Sequence, residues 1–251
     1  MVSFSGSGRP LGPRIVGRWL ALGLVLGGLV TAEGQAQPSP AAAANTLTEA
    51  ERRDGWKLLF DGKTTAGWRS YGKRELASGW QVVDGALTRV GLAGDIVAAE
   101  EFANFELALE WSVAKGGNSG IFYRGIEGPD PIFRSAPEMQ VLDDAEHADG
   151  KSLLTSAGSN YGLYPVPRSV AAPAGQWNQA RIRVSGNQVE HWLNGIKVVE
   201  YQLGSDEWRA RVKASKFAAW PAYGTARRGL IGLQDHGDRV AFRSIKIRVL
   251  P

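Results

Sequence analysis

Asn104-Phe-Glu-Leu-Ala-Leu-Glu-Trp-Ser-Val-Ala114 decides the fold class. Phe105, Leu107, Leu109 and Trp111 fall on one side of an extended chain, Glu106 and Glu110 on the other. Period two over that length marks a strand with one face in a core and one in water. Working outward, the same signal recurs. Lys115-Gly-Gly-Asn118 turns the chain into a strand at Ile121-Phe-Tyr-Arg124, and residues 80–90 read as strand, Asp84-Gly85 turn, strand. Trp56-Lys-Leu-Leu-Phe60 is a strand stopped by Asp61-Gly62. Residues 180–184 and 187–193 flank Ser185-Gly186, and Asn194-Gly195, a pair suited to a type I′ turn, starts another hairpin. Residues 229–234 and 239–250 close the chain with two more strands. Helical periodicity is nearly absent; Ser205 is placed to cap one short helix over residues 206–213. Short strands punctuated by glycine turns predict an all-β, antiparallel β-sandwich.

The N-terminus is different in kind. Arg9, Arg14 and Arg18 precede an apolar run over residues 19–30, too short to span a bilayer comfortably, and small residues follow. That layout predicts a secretory signal segment over residues 1–36, cut after Ala36 in Gly34-Gln35-Ala36, and hence a periplasmic or secreted protein with no stable membrane insertion; an uncleaved N-terminal anchor is the alternative. Pro38-Ser-Pro40 and the alanines after it predict a disordered linker over residues 37–46, leaving one domain over residues 47–251. The formal net charge is +4, of which the signal segment holds +2. No Lys/Arg run follows it, so the sequence carries no footprint for nucleic acid. The chain has no cysteine, which excludes disulfides, thiol nucleophiles and cysteine-ligated zinc.

Pro137-Glu138-Met-Gln140-Val-Leu-Asp143-Asp144 is the segment richest in chemistry. On a strand Glu138 and Gln140 point the same way, about 7 Å apart, while Met139 and Val141 face a core. A carboxylate and an amide side by side can hydrogen-bond sugar hydroxyls; a solvated strand face without chemistry is the plain alternative. Asp143 joins the same side only if a one-residue bulge intervenes. The segment resembles the catalytic strand of laminarinase-like glycoside hydrolases, Glu-x-Asp-x-x-Glu when bulged. Glu138 then matches the nucleophile, Gln140 the central Asp and Asp143 the acid. An amide replaces the central acid, and the last carboxylate is one methylene shorter. A retaining glycosidase holds its two carboxyls about 5–5.5 Å apart, so both departures count against double displacement.

A wider resemblance covers nearly the whole chain after the linker. Trp56-Lys-Leu-Leu-Phe-Asp-Gly62 with Gly67-Trp68, Gly117-Asn-Ser-Gly-Ile-Phe-Tyr-Arg124 and Glu138-Met-Gln-Val-Leu-Asp-Asp144 come first. Tyr161-Gly-Leu-Tyr-Pro165, Gly175-Gln-Trp-Asn178 and Val189-Glu-His-Trp-Leu-Asn-Gly195 follow. Ser215-Lys-Phe217 and Gly232-Leu-Gln-Asp-His-Gly237 complete the series. Together, in this order, they resemble the 3-keto-disaccharide hydrolase domain family. The resemblance implies a concanavalin A-like jelly roll and action on glycosides whose C3 hydroxyl has become a ketone. A C3 ketone acidifies the C2 proton, so a base can remove it, the C1 aglycone leaves by β-elimination, and water adds to the enone. Such a route needs a base near C2, donors for the enolate oxygen and an acid for the leaving group.

Side-chain chemistry then nominates candidates. Glu138, His236 and Asp143 are the candidate catalytic residues; Gln140, Arg124, Lys216, Tyr161, His147 and Trp220 are the candidate sugar-binding ones. Histidine suits base work near neutral pH, and His236 sits in a turn after an apolar strand. His147 follows two aspartates and reads equally as base, metal ligand or surface residue, whereas His191 shares a face with Val189 and Leu193 and reads as packed. Arg124 and Lys216 are suited to an enolate or a sugar, or are ordinary solvated charges. Tyr161 and Tyr164 lie in a long unpatterned stretch, residues 143–173, of the kind that often carries function. Trp220, before Pro221 and near Tyr223, is placed to stack on a sugar. Glu138, Asp143, Asp144 and His147 are also plausible ligands of a divalent metal ion that would polarise the ketone, although their spacing matches no dedicated zinc motif. The expected function is thus an exported carbohydrate-active enzyme cleaving 3-keto-glycosides. A non-catalytic, lectin-like sugar-binding module and a retaining glycosidase using Glu138 and Asp143 are the alternatives.

Overall fold

The structure, a computed structural model, describes residues 43–128 and 130–251. The signal segment and the first part of the linker lie outside the described residues. A first helix, α1 (Glu49–Arg53), is closed by a capping box between Thr48 and Glu51. Then come β1 (Trp56–Leu58), β2 (Trp68–Ser70), β3 (Trp80–Val83), β4 (Ala86–Arg89), β5 (Ile96–Phe102), β6 (Phe105–Val113), β7 (Asn118–Gly125) and β8 (Glu138–Leu142). A long loop leads to β9 (Asn178–Ser185), β10 (Gln188–Leu193), β11 (Ile196–Gln202), α2 (Asp206–Lys213), β12 (Gly229–Leu233) and β13 (Val240–Val249). The one helix expected from sequence, α2, starts where expected, with the Ser205 side chain accepting from the Trp208 amide.

The strands form two antiparallel sheets. One runs β11-β10-β9-β6-β13-β4-β3, with β1 also paired to β13; the other runs β2-β5-β12-β7-β8. Pairings such as β6 with β13 and β5 with β12 join distant parts of the chain, as a jelly roll requires. The inner faces meet in one continuous core. Phe105, Leu107, Leu109 and Trp111 of β6 enter it in alternation, and so do Met139 and Val141 of β8 and Ile231 and Leu233 of β12. On the other face of β6, Glu106 is bridged by Arg181 and Arg248, and Glu110 by Arg243. His191 is fully buried, as its register predicted. Its Nδ1 lies 3.1 Å from the Gly158 carbonyl, so that nitrogen carries the proton and Nε2 accepts from the Tyr123 hydroxyl at 2.9 Å. Burial pushes this imidazole down to about 4, which keeps it neutral.

The linker expectation is corrected at its C-terminal end. Asn45 Oδ1 accepts from the Ser244 amide at 2.8 Å, its Nδ2 donates to the Gly85 carbonyl at 2.8 Å, and its own amide donates to Ser244 Oγ. Ser244 has φ +52° and sits where β13 shifts register, so the asparagine supplies partners that the interrupted ladder cannot. Asn45→Ala is expected to cost about 1–3 kcal/mol in urea unfolding; an unchanged midpoint would mean that water replaces these bonds.

Candidate active site

The five-stranded sheet presents a second face, away from the core. Glu138 pairs with Phe122, Phe122 with Gly232 and Gly232 with Val97, so these four form one row across β8, β7, β12 and β5. Phe122 and Val97 pack with Ile132, Ala136 and Leu230 in a small apolar cluster beneath the segment after β7. The next rows are polar: Gln140 opposite Gly120, and Asn118 at the end of β7. Cover at the apolar end and opening at the polar end leave a cavity of about 180 Å³. It is lined by Glu138, Gln140, Asn118, Gln234 and His236, with Tyr161, Lys216, Phe217 and Phe133 as walls.

The long loop positions β8. Residues 156–164 run along its free edge: Gln140 N donates to Ser159 O, Gly158 N to Gln140 O, and Tyr161 N to Glu138 O, at 2.9–3.1 Å. Those bonds satisfy an edge that would otherwise be open, and they set the Tyr161 ring beside Glu138. The Tyr161 hydroxyl donates to Asp149 at 3.2 Å, and Lys216 Nζ stands 4.5 Å from the centre of the Tyr161 ring. On β7, Gly120 leaves the space that the Glu138 side chain fills. A Cβ on residue 120 would stand 2.1 Å from Glu138 Oε1 and 2.7 Å from its Cδ.

Glu138 is only 7% exposed, and its carboxyl has no hydrogen-bond partner among the described residues. Burial pushes it up to about 8, against the pull of Lys216 and with the push of Asp95 and Asp149. It is therefore mostly a neutral acid at pH 7. Around it, Asn118 Oδ1, both polar atoms of the Gln140 amide and Gln234 Oε1 are buried without a partner. Buried polar atoms are normally satisfied, and four such atoms in one pocket are able to receive the hydroxyls of a neutral guest.

His236 is exposed at the mouth, in the turn after β12. Asp235 fixes that turn. Its carboxylate accepts from the Ala93, Gly94 and Gly237 amides and from Arg89 Nε at 2.7–3.0 Å. Burial opposes its charge, but these donors and Arg89 outweigh that and hold Asp235 below the ordinary range. Asp95, which accepts from the Asp235 amide at 2.9 Å, is pushed up to about 6 by burial and by the charge of Asp235.

Five of the residues nominated from sequence thus meet in one pocket: Glu138, Gln140, Tyr161, Lys216 and His236. Four do not line it. The β7–β8 register is continuous from Phe122↔Glu138 to Asn118↔Leu142, with no bulge to bring Asp143 round. Asp143 closes the preceding turn instead, accepting from the amides of Gly116 and Ala145. Arg124, at the far end of β7, donates to the carbonyls of Ala103 and Gly186. His147 caps a 3-10 turn, its Nδ1 accepting from the Asp149 amide. Trp220 meets Phe133 and Phe217 edge-on, with ring centres 5.4 and 5.8 Å apart, so it braces the aromatic walls from behind. The proposed metal set is likewise dispersed. Asp144 is engaged by Ala157 N and Ser169 Oγ, and among the described residues no three His, Asp or Glu converge as ligands. Asn118, Gly120 and Gln234 were not singled out from sequence. Asn118 and Gly120 carry a signal, polar or absent side chains in phase on β7, whereas Gln234 follows β12 and carries none.

Comparisons with known proteins identify what this chain is similar to. The family described as "3-keto-alpha-glucoside-1,2-lyase-like domain" matches residues 55–248. A protein of Bacteroides thetaiotaomicron named 3-keto-disaccharide hydrolase is 40% identical over 242 residues, which cover 84% of this chain and 83% of that protein. A crystal structure of a candidate glycosyl hydrolase from Parabacteroides distasonis superposes with TM-score 0.79 at 36% identity, covering 83% of this chain and all of the other. A Bacillus subtilis protein with a galectin-like fold, 14% identical over 77% of this chain and 97% of its own with TM-score 0.50, shares the fold alone.

Proposed function

This chain belongs to the family of 3-keto-α-glucoside-1,2-lyase-like domains, and on that premise we propose that it cleaves 3-keto-glycosides by elimination and hydration. The observation that carries the proposal is the buried, mostly protonated Glu138 beside unpartnered amides and an exposed imidazole. The pocket is smaller than the roughly 300–1,000 Å³ of drug-sized sites, a size suited to one sugar ring with its aglycone toward the mouth. His236, exposed at the mouth, removes the C2 proton. The electron pair moves onto the C3 oxygen, where the Lys216 ammonium and the Gln140 amide N–H are the available donors. When the ketone re-forms, the C1–C2 double bond appears and the C1–O bond breaks. Glu138 protonates the departing oxygen. Water then adds at C1 and a proton returns to C2, so the net change is hydrolysis. Tyr161 and Phe217 supply flat apolar surface for the ring. The basic and apolar N-terminal segment supports an exported protein, periplasmic or secreted, that meets such substrates outside the cytoplasm.

The test uses a p-nitrophenyl 3-keto-glucoside in D₂O. Aglycone release with deuterium incorporated at C2 is expected, and His236→Ala should lower the rate about 10²–10⁴-fold. Release with the C2 proton fully retained would instead indicate displacement. Saturable binding without any release would return the protein to a sugar-binding module.

A further inference from the structure

A second concavity, of about 560 Å³, lies on the other side of the 3-10 turn Lys216–Ala219. Its walls include Arg124, Arg209, Lys213 and Arg227, with Trp208 and Tyr223, and no Asp or Glu lines it. Arg209 is paired with the exposed Asp206. Among the described residues, the other three cations have no carboxylate partner. Arg124 is the telling one. It is only 3% exposed, and its Nε and Nη2 are spent on the Ala103 and Gly186 carbonyls and the Asn104 side chain. Its Nη1 has no hydrogen bond among the described residues. A buried guanidinium facing only carbonyls and another cation is costly, and burial together with the charge of Arg227 lowers its proton affinity. The backbone adds to that cost, because Arg124 has φ +52°, which a non-glycine residue rarely adopts. Strain and uncompensated charge kept at one concavity are the marks of a ligand site.

We propose that this concavity binds a small organic oxyanion, a carboxylate or phosphate group received by the guanidinium of Arg124 and the side chains of Arg227 and Lys213. The planar fork of arginine matches either group. The site is independent of the reaction assigned above.

Replacing buried Arg124 would confound binding with folding, so the exposed pair Arg227 and Lys213 carries the test. The full chain is titrated calorimetrically at constant ionic strength with inorganic phosphate, with glucuronate and with chloride as control. Saturable 1:1 binding of phosphate or glucuronate is expected. The double variant Arg227→Ala/Lys213→Ala should weaken it at least about tenfold, which is 1.4 kcal/mol, with turnover of 3-keto-glucoside unchanged. Which anion binds more tightly tells phosphate from carboxylate chemistry. No saturable binding of either, or binding that the double variant leaves intact and Lys216→Ala removes, would overturn the assignment.

Discussion

Glu138→Gln is expected to lose at least about 10³-fold in turnover of 3-keto-glucosides and yet to yield a protein more stable than the parent at alkaline pH. Both effects come from one buried carboxyl. Its pKa in the folded protein is about 8, well above the 4.5 of an ordinary glutamate. The folded state therefore keeps a proton that the unfolded state has released between those values, and stability falls as pH rises through that window. The penalty is absent below about pH 4.5 and complete above pH 8. At full size it is worth roughly 5 kcal/mol by linkage. Glutamine is nearly isosteric and never ionises, so it escapes the penalty while losing the transferable proton. Melting temperatures of parent and variant should nearly coincide at pH 4.5 and separate by several degrees at pH 9. Turnover of the parent should decline above pH 8 as the neutral acid is lost. A gap that stays flat across this range, or a variant within tenfold of parental turnover, would refute the assignment of Glu138 as a buried acid.

Gly120→Ala is the second large effect, and it acts without removing any polar group. Residue 120 is not at positive φ, so alanine is allowed there by the backbone; space is the only issue. The added methyl would overlap the Glu138 carboxyl, which must leave its place over β7. A displacement of about 1 Å in a catalytic group can cost 10² in rate, so turnover should fall about 10²–10³-fold. Overpacking should cost about 1–3 kcal/mol. The double variant Gly120→Ala/Glu138→Ala separates this from a general loss of folding: removing the side chain that clashes should recover stability relative to Gly120→Ala alone, a coupling expected only of residues in contact. Simple additivity of the two changes would show that Gly120 does not hold the carboxyl in place.

How much was readable beforehand depended on what each strand faces. β6 has water on one side, so its alternation was plain in the sequence. β5 was missed. Ile96, Val97 and Ala98 are buried in succession because apolar residues cover both faces there, and the outer half of the strand carries exposed glutamates. A strand covered on both sides has no period of two to detect. The parity of Glu138 and Gln140 held because it needs only five residues of regular strand. Asp143 failed because a bulge had to be assumed, and the neighbouring strand pairs without one. The sequence offers Trp220 as a sugar platform, but an aromatic side chain cannot be told from a brace until its neighbours, Phe133 and Phe217, are in place.

By itself the sequence determined that this is a β-sandwich and that Glu138 and Gln140 look the same way, because alternation and turn chemistry are properties of adjacent residues. It also carried the order of motifs that marks the family. Only the tertiary structure decided that Asn118 and Gly120 of β7, Gln234 and His236 after β12, Tyr161 from the long loop and Lys216 after α2 surround that carboxyl. It also decided the carboxyl's acidity, since a glutamate becomes a neutral acid at pH 7 through the low-dielectric cover that distant segments place over it. Local pattern is written along the chain; burial is a property of what packs from elsewhere.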